Sequence, residues 1–296
     1  ENFNPYKFGF IGSSDTHIGA GSFDETNFTG KFPQDGSNPE FRHSVPPEGA
    51  DSWDGVASLK SLPPGAVKPS MRRKLSAGKY SASGLAGVWA DENTREAIFD
   101  AIRRKETFGT SGPRIKARMF AGYGFEQAML SDPDLVSAAY RTGVSQGSEL
   151  VGTQQAPSIL AWAIRDPASY PLQRLQIIKV WTDAQGKAHE AVYDAACSGG
   201  AKPDVDTHRC PENGANVDIS DCSTEPGSGV GELKTLWTDP NYDPVRRAAY
   251  YVRVLENPSC RWSTWDAVRN GSPPNPNMPV LIQERAWTSP IWVNPE

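Results

Sequence analysis

An aspartate and a histidine one residue apart are the side chains of this sequence best suited to chemistry. Asp15 and His17 stand in the run Gly-Ser-Ser-Asp-Thr-His at residues 12–17. A carboxylate and an imidazole held together are good ligands for zinc, manganese or iron, and Gly12 lets the backbone come close to such a site. The alternative is structural, with Asp15 capping a turn and His17 filling a polar pocket. The pair therefore predicts a metal site with Asp15 and His17 as ligands.

The segment before this pair has to position it. Residues 6–12 form a short apolar run ending in glycine, which predicts a buried strand. An extended backbone would place Asp15 and His17 on one side of the pleat, at the strand end where α/β barrels place their chemistry. Residues 92–105 give the clearest helical pattern, with Asn93 and Glu96 spaced as a capping box.

The sequence pattern changes after Pro113 to one that is typical of β-strands. Short segments with strand patterning follow one another, separated by turn residues, and 135–142 predicts a short helix. The predicted strands are 115–120, 158–165, 175–182, 188–193, 232–238, 248–255 and 287–293. This spacing suggests a β-sandwich-like domain. We expect two domains, residues 1–113 and residues 114–296.

Several stretches resemble one known family. The run at 12–17 resembles the closing Gly-Ser-Asp-x-His motif of the PHP (polymerase and histidinol phosphatase) superfamily. Residues 97–115 look like its final barrel helix and exit segment. Together with residues 84–95 and 257–265, the match points to the mostly secreted bacterial branch known as domain of unknown function 3604. The resemblance covers nearly the whole chain.

The resemblance carries implications for fold and function. It implies an α/β plus β fold, in which the C-terminal portion of a PHP-type α/β barrel, with a long loop insertion, precedes the β-sandwich-like domain. It also implies a metal-dependent hydrolase, acting as a phosphoesterase on a small-molecule substrate. Two or three divalent metal ions, of zinc, manganese or iron, would be bound, with Asp15 and His17 among their ligands.

The sequence departs from the superfamily pattern in its histidines. PHP barrels open with a His-x-His strand, but this chain has 4 histidines and no such pair. The remaining ligands are expected upstream, so the chain is expected to be a fragment of a longer protein. Its predicted partner is the missing N-terminal part of the same protein, either within a longer precursor or as a separate chain.

Two further residues are candidates for substrate binding. His43 lies in the loop after the motif and is predicted to reach the site, with a solvated loop as the alternative. Arg114 follows the predicted barrel exit, where its guanidinium can hold a phosphate bidentately. A salt bridge to the second domain is the alternative for Arg114.

The cysteines indicate the compartment. All 4 lie between residues 197 and 260, and none has the spacing of a zinc knuckle. Two disulfides are the better interpretation, with three pairings open. We therefore expect a periplasmic or secreted protein.

Composition excludes two classes of partner and leaves rival functions open. The net charge of -5 comes from mixed signs without a basic stripe, so nucleic acid is not expected as a partner. No apolar run is long enough for a membrane span. The alternatives to a phosphoesterase are a non-catalytic binding or structural module on a degenerate PHP barrel, and a hydrolase of a non-phosphate ester or amide.

Overall fold

The protein is described from a computed structural model. The structure describes residues 4–33, 39–46 and 78–295. The predicted long insertion in residues 1–113 therefore falls partly outside the described residues.

The described chain is rich in strands. Its helices are α1 (Arg95–Arg103), α2 (Leu135–Thr142) and α3 (Trp262–Asn270), with short 3-10 turns at Glu25–Asn27, Gln127–Ser131 and Ser198–Gly200. The strands are β1 (Leu85–Val88), β2 (Thr107–Thr110), β3 (Lys116–Gly122), β4 (Gly143–Ser145), β5 (Glu149–Val151), β6 (Ser158–Ile164), β7 (Leu172–Thr182), β8 (Ala188–Cys197), β9 (Glu232–Thr238), β10 (Ala248–Glu256), β11 (Ser259–Cys260), β12 (Leu281–Ile282), β13 (Arg285–Thr288) and β14 (Ile291–Asn294).

Two mainly antiparallel sheets form the body of the molecule. The larger has eight strands, ordered β1-β2-β13-β10-β14-β5, with β7 pairing both β10 and β8. The smaller has the order β4-β3-β6-β9. The pairing of β14 with β5 is parallel, and the other pairings within these two sheets are antiparallel. β11 and β12 form a separate two-stranded ladder.

The expected fold class is wrong. Parallel strands alternating with helices would be needed for part of a PHP-type α/β barrel, whereas the sheets here are mostly antiparallel. Among residues 4–33, 39–46 and 78–295 they close no barrel. Strands β1 and β2, which lie before residue 113, join the same sheet as β10 and β13. The division at residue 113 is still a prediction, although one sheet spans it.

The core lies between the two sheets, where alternation along the strands puts small and branched side chains inside. Ala117 and Ile159 of the smaller sheet pack in one cluster with Ile177 and Val252 of the larger. The opposite face of β3 and β6 packs against α2, so the smaller sheet is covered on both sides. This double burial explains why β6 reads as an almost continuous apolar run.

The helix predicted at 92–105 is present but starts later. Helix α1 begins after Thr94, whose hydroxyl accepts a hydrogen bond from the Ala97 backbone N–H. Thr94 therefore takes the capping position predicted for Asn93. Within α1, Ala101 is buried while Ile102 is exposed.

The strand predicted at residues 6–12 is wrong, because no ladder forms there. The segment instead lies against the larger sheet, with the Phe10 ring 5.5 Å from the ring of Tyr251. The Phe10 backbone N–H donates to Ser289 Oγ. Tyr6, Phe8 and Ile11 are exposed.

The expectation of two disulfides is confirmed. Cys197 pairs with Cys210, and Cys222 pairs with Cys260. No helix in the described residues is long and apolar enough to cross a membrane. The two disulfides are consistent with an extracellular or secreted protein.

Candidate functional site

The loop at residues 12–17 is clamped by backbone contacts on both sides. A Cβ at Gly12 would overlap the carbonyl oxygens of Leu85 and Thr110, so only glycine fits there. The Gly84 N–H donates to the Ser13 carbonyl at 3.1 Å, and the His17 N–H donates to the Lys31 carbonyl at 2.8 Å. The backbone that carries Asp15 and His17 is therefore fixed by its neighbours.

Asp15 does not have the extended backbone that the strand prediction assumed. Its φ of 47° lies in the left-handed region, which aspartate adopts more readily than most residues. Its side chain is exposed, and its carboxylate has no hydrogen bond or ion pair with the described residues. Strained backbone of this kind is often found at functional sites.

His17 is exposed, but one face of its ring is supported. The imidazole stacks on the ring of Phe32, with centroids 4.5 Å apart and an angle of 21° between planes. No described residue hydrogen-bonds to its ring nitrogens. Phe32 thus limits the orientation of the imidazole, while the two ring nitrogens are left available to bind a ligand.

A polar cluster that the sequence did not predict lies beside this pair. Thr16 Oγ1 is 3.3 Å from Ser83 Oγ, and Lys31 Nζ donates to the same Ser83 oxygen at 3.4 Å. Burial lowers the pKa of Lys31, and the neighbouring charge of Asp15 acts in the opposite direction. Because Lys31 and Ser83 are 52 residues apart, only the fold brings them together.

Glu25 holds together two segments that lie next to this polar cluster. Its two carboxylate oxygens accept the backbone N–H groups of Ala82, at 2.6 Å, and Trp262, at 2.7 Å. Burial raises the pKa of Glu25, while these hydrogen bonds act to lower it. Glu25 therefore ties the segment that carries Ser83 to the start of helix α3.

The described residues contain no complete metal site. In the ranges 4–33, 39–46 and 78–295, no three His, Cys, Asp or Glu side chains are grouped so that they could hold a metal ion. Asp15 and His17 are suitable as two ligands, whereas a catalytic zinc site uses three protein ligands. We therefore derive no catalytic step through a metal from these residues.

The chain contains the same tripeptide a second time. Asp206, Thr207 and His208 repeat the residues at 15–17. There, the backbone N–H groups of Asp206 and Thr207 bond to Asp204, and the His208 ring lies 4.9 Å from that of Tyr193. This second copy lies in the disulfide-linked loop and offers a matched control.

The two predicted substrate-binding residues have different contacts in the structure. His43 has a φ of 65°, and its carbonyl accepts a hydrogen bond from Asn275. The Arg114 backbone N–H donates to Asp166, and its guanidinium lies 4.5 Å above the ring of Phe23. Arg114 has no ion pair with the described residues. A substrate contact for His43 or Arg114 is still a prediction.

One family model matches almost the entire chain. It is described as a protein of unknown function, DUF3604, and it covers residues 1–295. The chain belongs to this family. No curated protein and no solved structure matches. Membership of the DUF3604 family therefore assigns no activity.

The clamped loop gives a stability prediction. We expect Gly12→Ala to lower the free energy of unfolding by about 1–3 kcal/mol, because its methyl group has to displace backbone carbonyls. Gly19→Ala is the control, since a Cβ there meets nothing within 4 Å. Urea denaturation measures both variants. Equal stability of the two would contradict the tight packing of this loop.

Proposed function

We propose that this protein is a metal-dependent hydrolase of phosphoesters, in which Asp15 and His17 bind a divalent cation. The observation that carries the proposal is their arrangement. Both are exposed on a loop with a clamped backbone, and neither side chain has a hydrogen-bond partner among the described residues. The resemblance of residues 12–17 to the closing motif of the PHP superfamily supports this choice of ligands. Zinc, manganese and iron all suit an Asp and His donor set.

The neighbouring polar cluster supports an anionic substrate. A divalent cation supplies Lewis acidity, which activates water and stabilises negative charge on phosphoester oxygens. Lys31 adds positive charge close to Asp15, and Ser83 and Thr16 hold hydroxyl groups beside it. In this proposal Lys31 orients an ester oxygen, while the two hydroxyl groups keep the loop in place.

An exposed apolar surface supports the need for further polypeptide. Tyr6, Phe8 and Ile11 are 72%, 57% and 63% exposed, and Phe99 and Ile102 of α1 are 60% and 51% exposed. These two segments are neighbours, because Lys105 Nζ donates to the Lys7 carbonyl. Exposed apolar groups of this kind mark interaction surfaces. In our proposal this surface is covered by a further part of the protein, which supplies the missing ligands in a periplasmic or secreted enzyme.

A panel of chromogenic esters tests the proposal on the protein as its cells make it. We expect hydrolysis of p-nitrophenyl phosphate or bis(p-nitrophenyl) phosphate that stops after chelation and returns with added zinc or manganese. Asp15→Asn should lower this rate by at least about 100-fold, since even partners that merely orient ligands cost about 10- to 100-fold. Asp206→Asn, in the second tripeptide, is the control and should retain the parent rate.

The same panel separates the alternatives. Hydrolysis of p-nitrophenyl acetate alone would favour a hydrolase of a non-phosphate ester. No hydrolysis of any ester, with or without metal, would favour a non-catalytic binding module. Equal metal-dependent rates in the parent and Asp15→Asn would contradict the role of Asp15.

A further inference from the structure

A second candidate site lies in a cavity of about 220 Å³ whose lining includes neither Asp15 nor His17. Its walls come from the Glu25–Asn27 turn, the loop at residues 166–170, helix α3 and Glu284. The volume corresponds to about seven water molecules at roughly 30 Å³ each. The cavity therefore suits a small ligand.

Two of the carboxylates that line the cavity are already satisfied by the backbone. Glu25 accepts the two N–H groups described above. Asp166 accepts the N–H of Arg114 at 2.7 Å through one oxygen and that of Ala168 at 2.9 Å through the other. Both carboxylates are therefore structural, and neither is the main contact for a ligand.

Glu284 differs from these two carboxylates. It is 4% exposed, and its Oε2 accepts a hydrogen bond from Ser111 Oγ. Its Oε1 has no hydrogen-bond partner among the described residues, and Glu284 lines the cavity. Oε1 is therefore available to accept a hydrogen bond from a ligand in the cavity.

The surroundings of Glu284 favour a cation as that ligand group. Burial raises the pKa of Glu284 to about 8, and the nearby charge of Glu25 acts in the same direction. An ammonium group beside Oε1 would relieve both effects, because it stabilises the ionised carboxylate. Tyr170 and Trp265 also line the cavity, and aromatic rings can attract cations.

Arg114 supplies the opposite charge. It lines the same cavity, is exposed, and forms no ion pair within the described chain. Its guanidinium rests on the Phe23 ring, which orients it without neutralising it. A free guanidinium presents paired N–H donors that match a carboxylate.

We propose that this cavity binds a small zwitterion of the amino-acid class, with its ammonium group against Glu284 and its carboxylate against Arg114. A metal ion is disfavoured, because no three His, Cys, Asp or Glu side chains of the described residues are grouped to hold one. A simple amine would leave Arg114 without a counter-charge, and a simple carboxylate would leave Glu284 Oε1 without a hydrogen-bond donor. A zwitterion satisfies both.

Titration calorimetry on the full chain tests this site with a graded series of probes. Glycine, β-alanine, 4-aminobutyrate and 5-aminopentanoate carry both charges at increasing separation. Butylamine and butyrate each carry one of the two charges. We expect at least one zwitterion to bind with an affinity tenfold or more above those of butylamine and butyrate.

Substitutions of the cavity residues test whether the zwitterion binds at this site. Glu284→Gln and Arg114→Gln should each weaken the best zwitterion by about tenfold, as expected for loss of a charged hydrogen bond. Glu126→Gln and Lys116→Gln are the controls, since both residues are exposed and outside the cavity. Arg114 is exposed, so its variant still tests the site if Glu284→Gln fails to fold. Absence of zwitterion binding, equal binding of butylamine or butyrate, or unchanged affinity in Arg114→Gln overturns the proposal.

Discussion

Replacing Asp266 with alanine is expected to lower the free energy of unfolding by about 3–5 kcal/mol. Its carboxylate accepts Arg42 Nη2 at 2.8 Å, Arg42 Nε at 3.2 Å and Ser44 Oγ at 2.6 Å. Arg42 and Asp266 are 6% and 7% exposed. The substitution would leave a guanidinium buried without this counter-charge, which is far more costly than losing a surface pair.

Guanidinium denaturation of matched variants measures this effect. Asp243→Ala is the control, because Asp243 pairs with Arg246 at 2.7 Å where both side chains are more than a third exposed. A surface pair of that kind contributes at most about 1 kcal/mol. The pair at Asp266 also anchors residues 39–46, which carry His43, to helix α3. A loss below about 1 kcal/mol for Asp266→Ala would show that this docking contributes little to stability.

A second large effect is expected in the pH dependence of stability. Burial raises the pKa values of Glu256 and Glu284 to about 8, from about 4.5, and the charge of Glu284 also acts to raise the pKa of Glu256. Between pH 4.5 and 8 the native state therefore holds protons that the unfolded chain has released. Stability should fall as pH rises through this range, because ∂ΔG/∂pH follows the difference in bound protons.

Glu256→Gln isolates this contribution. Glu256 is fully buried, and its Oε2 accepts a hydrogen bond from Ser169 that the amide oxygen of glutamine can still accept. A shift of this size corresponds to up to about 5 kcal/mol per group. We expect the loss of stability between pH 5 and pH 8.5 to be smaller in the variant by about 2–4 kcal/mol. Glu126→Gln, at an exposed site, should keep the parent profile, and a parent-like profile for Glu256→Gln would contradict the raised pKa.

The strands of the second half could be predicted because alternation and turn residues determine them locally. The segments predicted at 158–165 and 232–238 form β6 and β9, and 248–255 forms most of β10. Local patterning does not reveal which strands pair. β2 pairs with β13, which lies about 180 residues later in the chain, and such pairings produced two antiparallel sheets in place of the expected barrel portion.

The error at residues 6–12 has a local cause. Phe8, Phe10 and Ile11 give an apolar run that resembles a strand, although Phe8 and Ile11 are exposed and the Phe10 ring packs on Tyr251. Gly9 and Gly12 instead let the segment lie close to its neighbours, because a Cβ at either position would meet atoms of other segments within 3 Å. Apolar periodicity cannot distinguish this packing from a ladder.

The candidate sites differ in how far the sequence could reveal them. Asp15 and His17 were identifiable from a short motif, although the repeat at 206–208 shows that the tripeptide alone is not specific. Lys31 and Ser83 gave no signal, because they come together only in the folded chain. The same is true of Glu284 and Arg114, which meet at one cavity from positions 170 residues apart.

Metal content of the protein purified from its own cells tests the central claim, that Asp15 and His17 bind a divalent cation. Inductively coupled plasma mass spectrometry should find at least one equivalent of zinc, manganese or iron per chain. The paired change Asp15→Asn and His17→Ala should remove it without unfolding the protein, whereas Asp206→Asn with His208→Ala should leave it in place. Parent protein without metal, or full metal content in the Asp15 and His17 variant, would contradict the account.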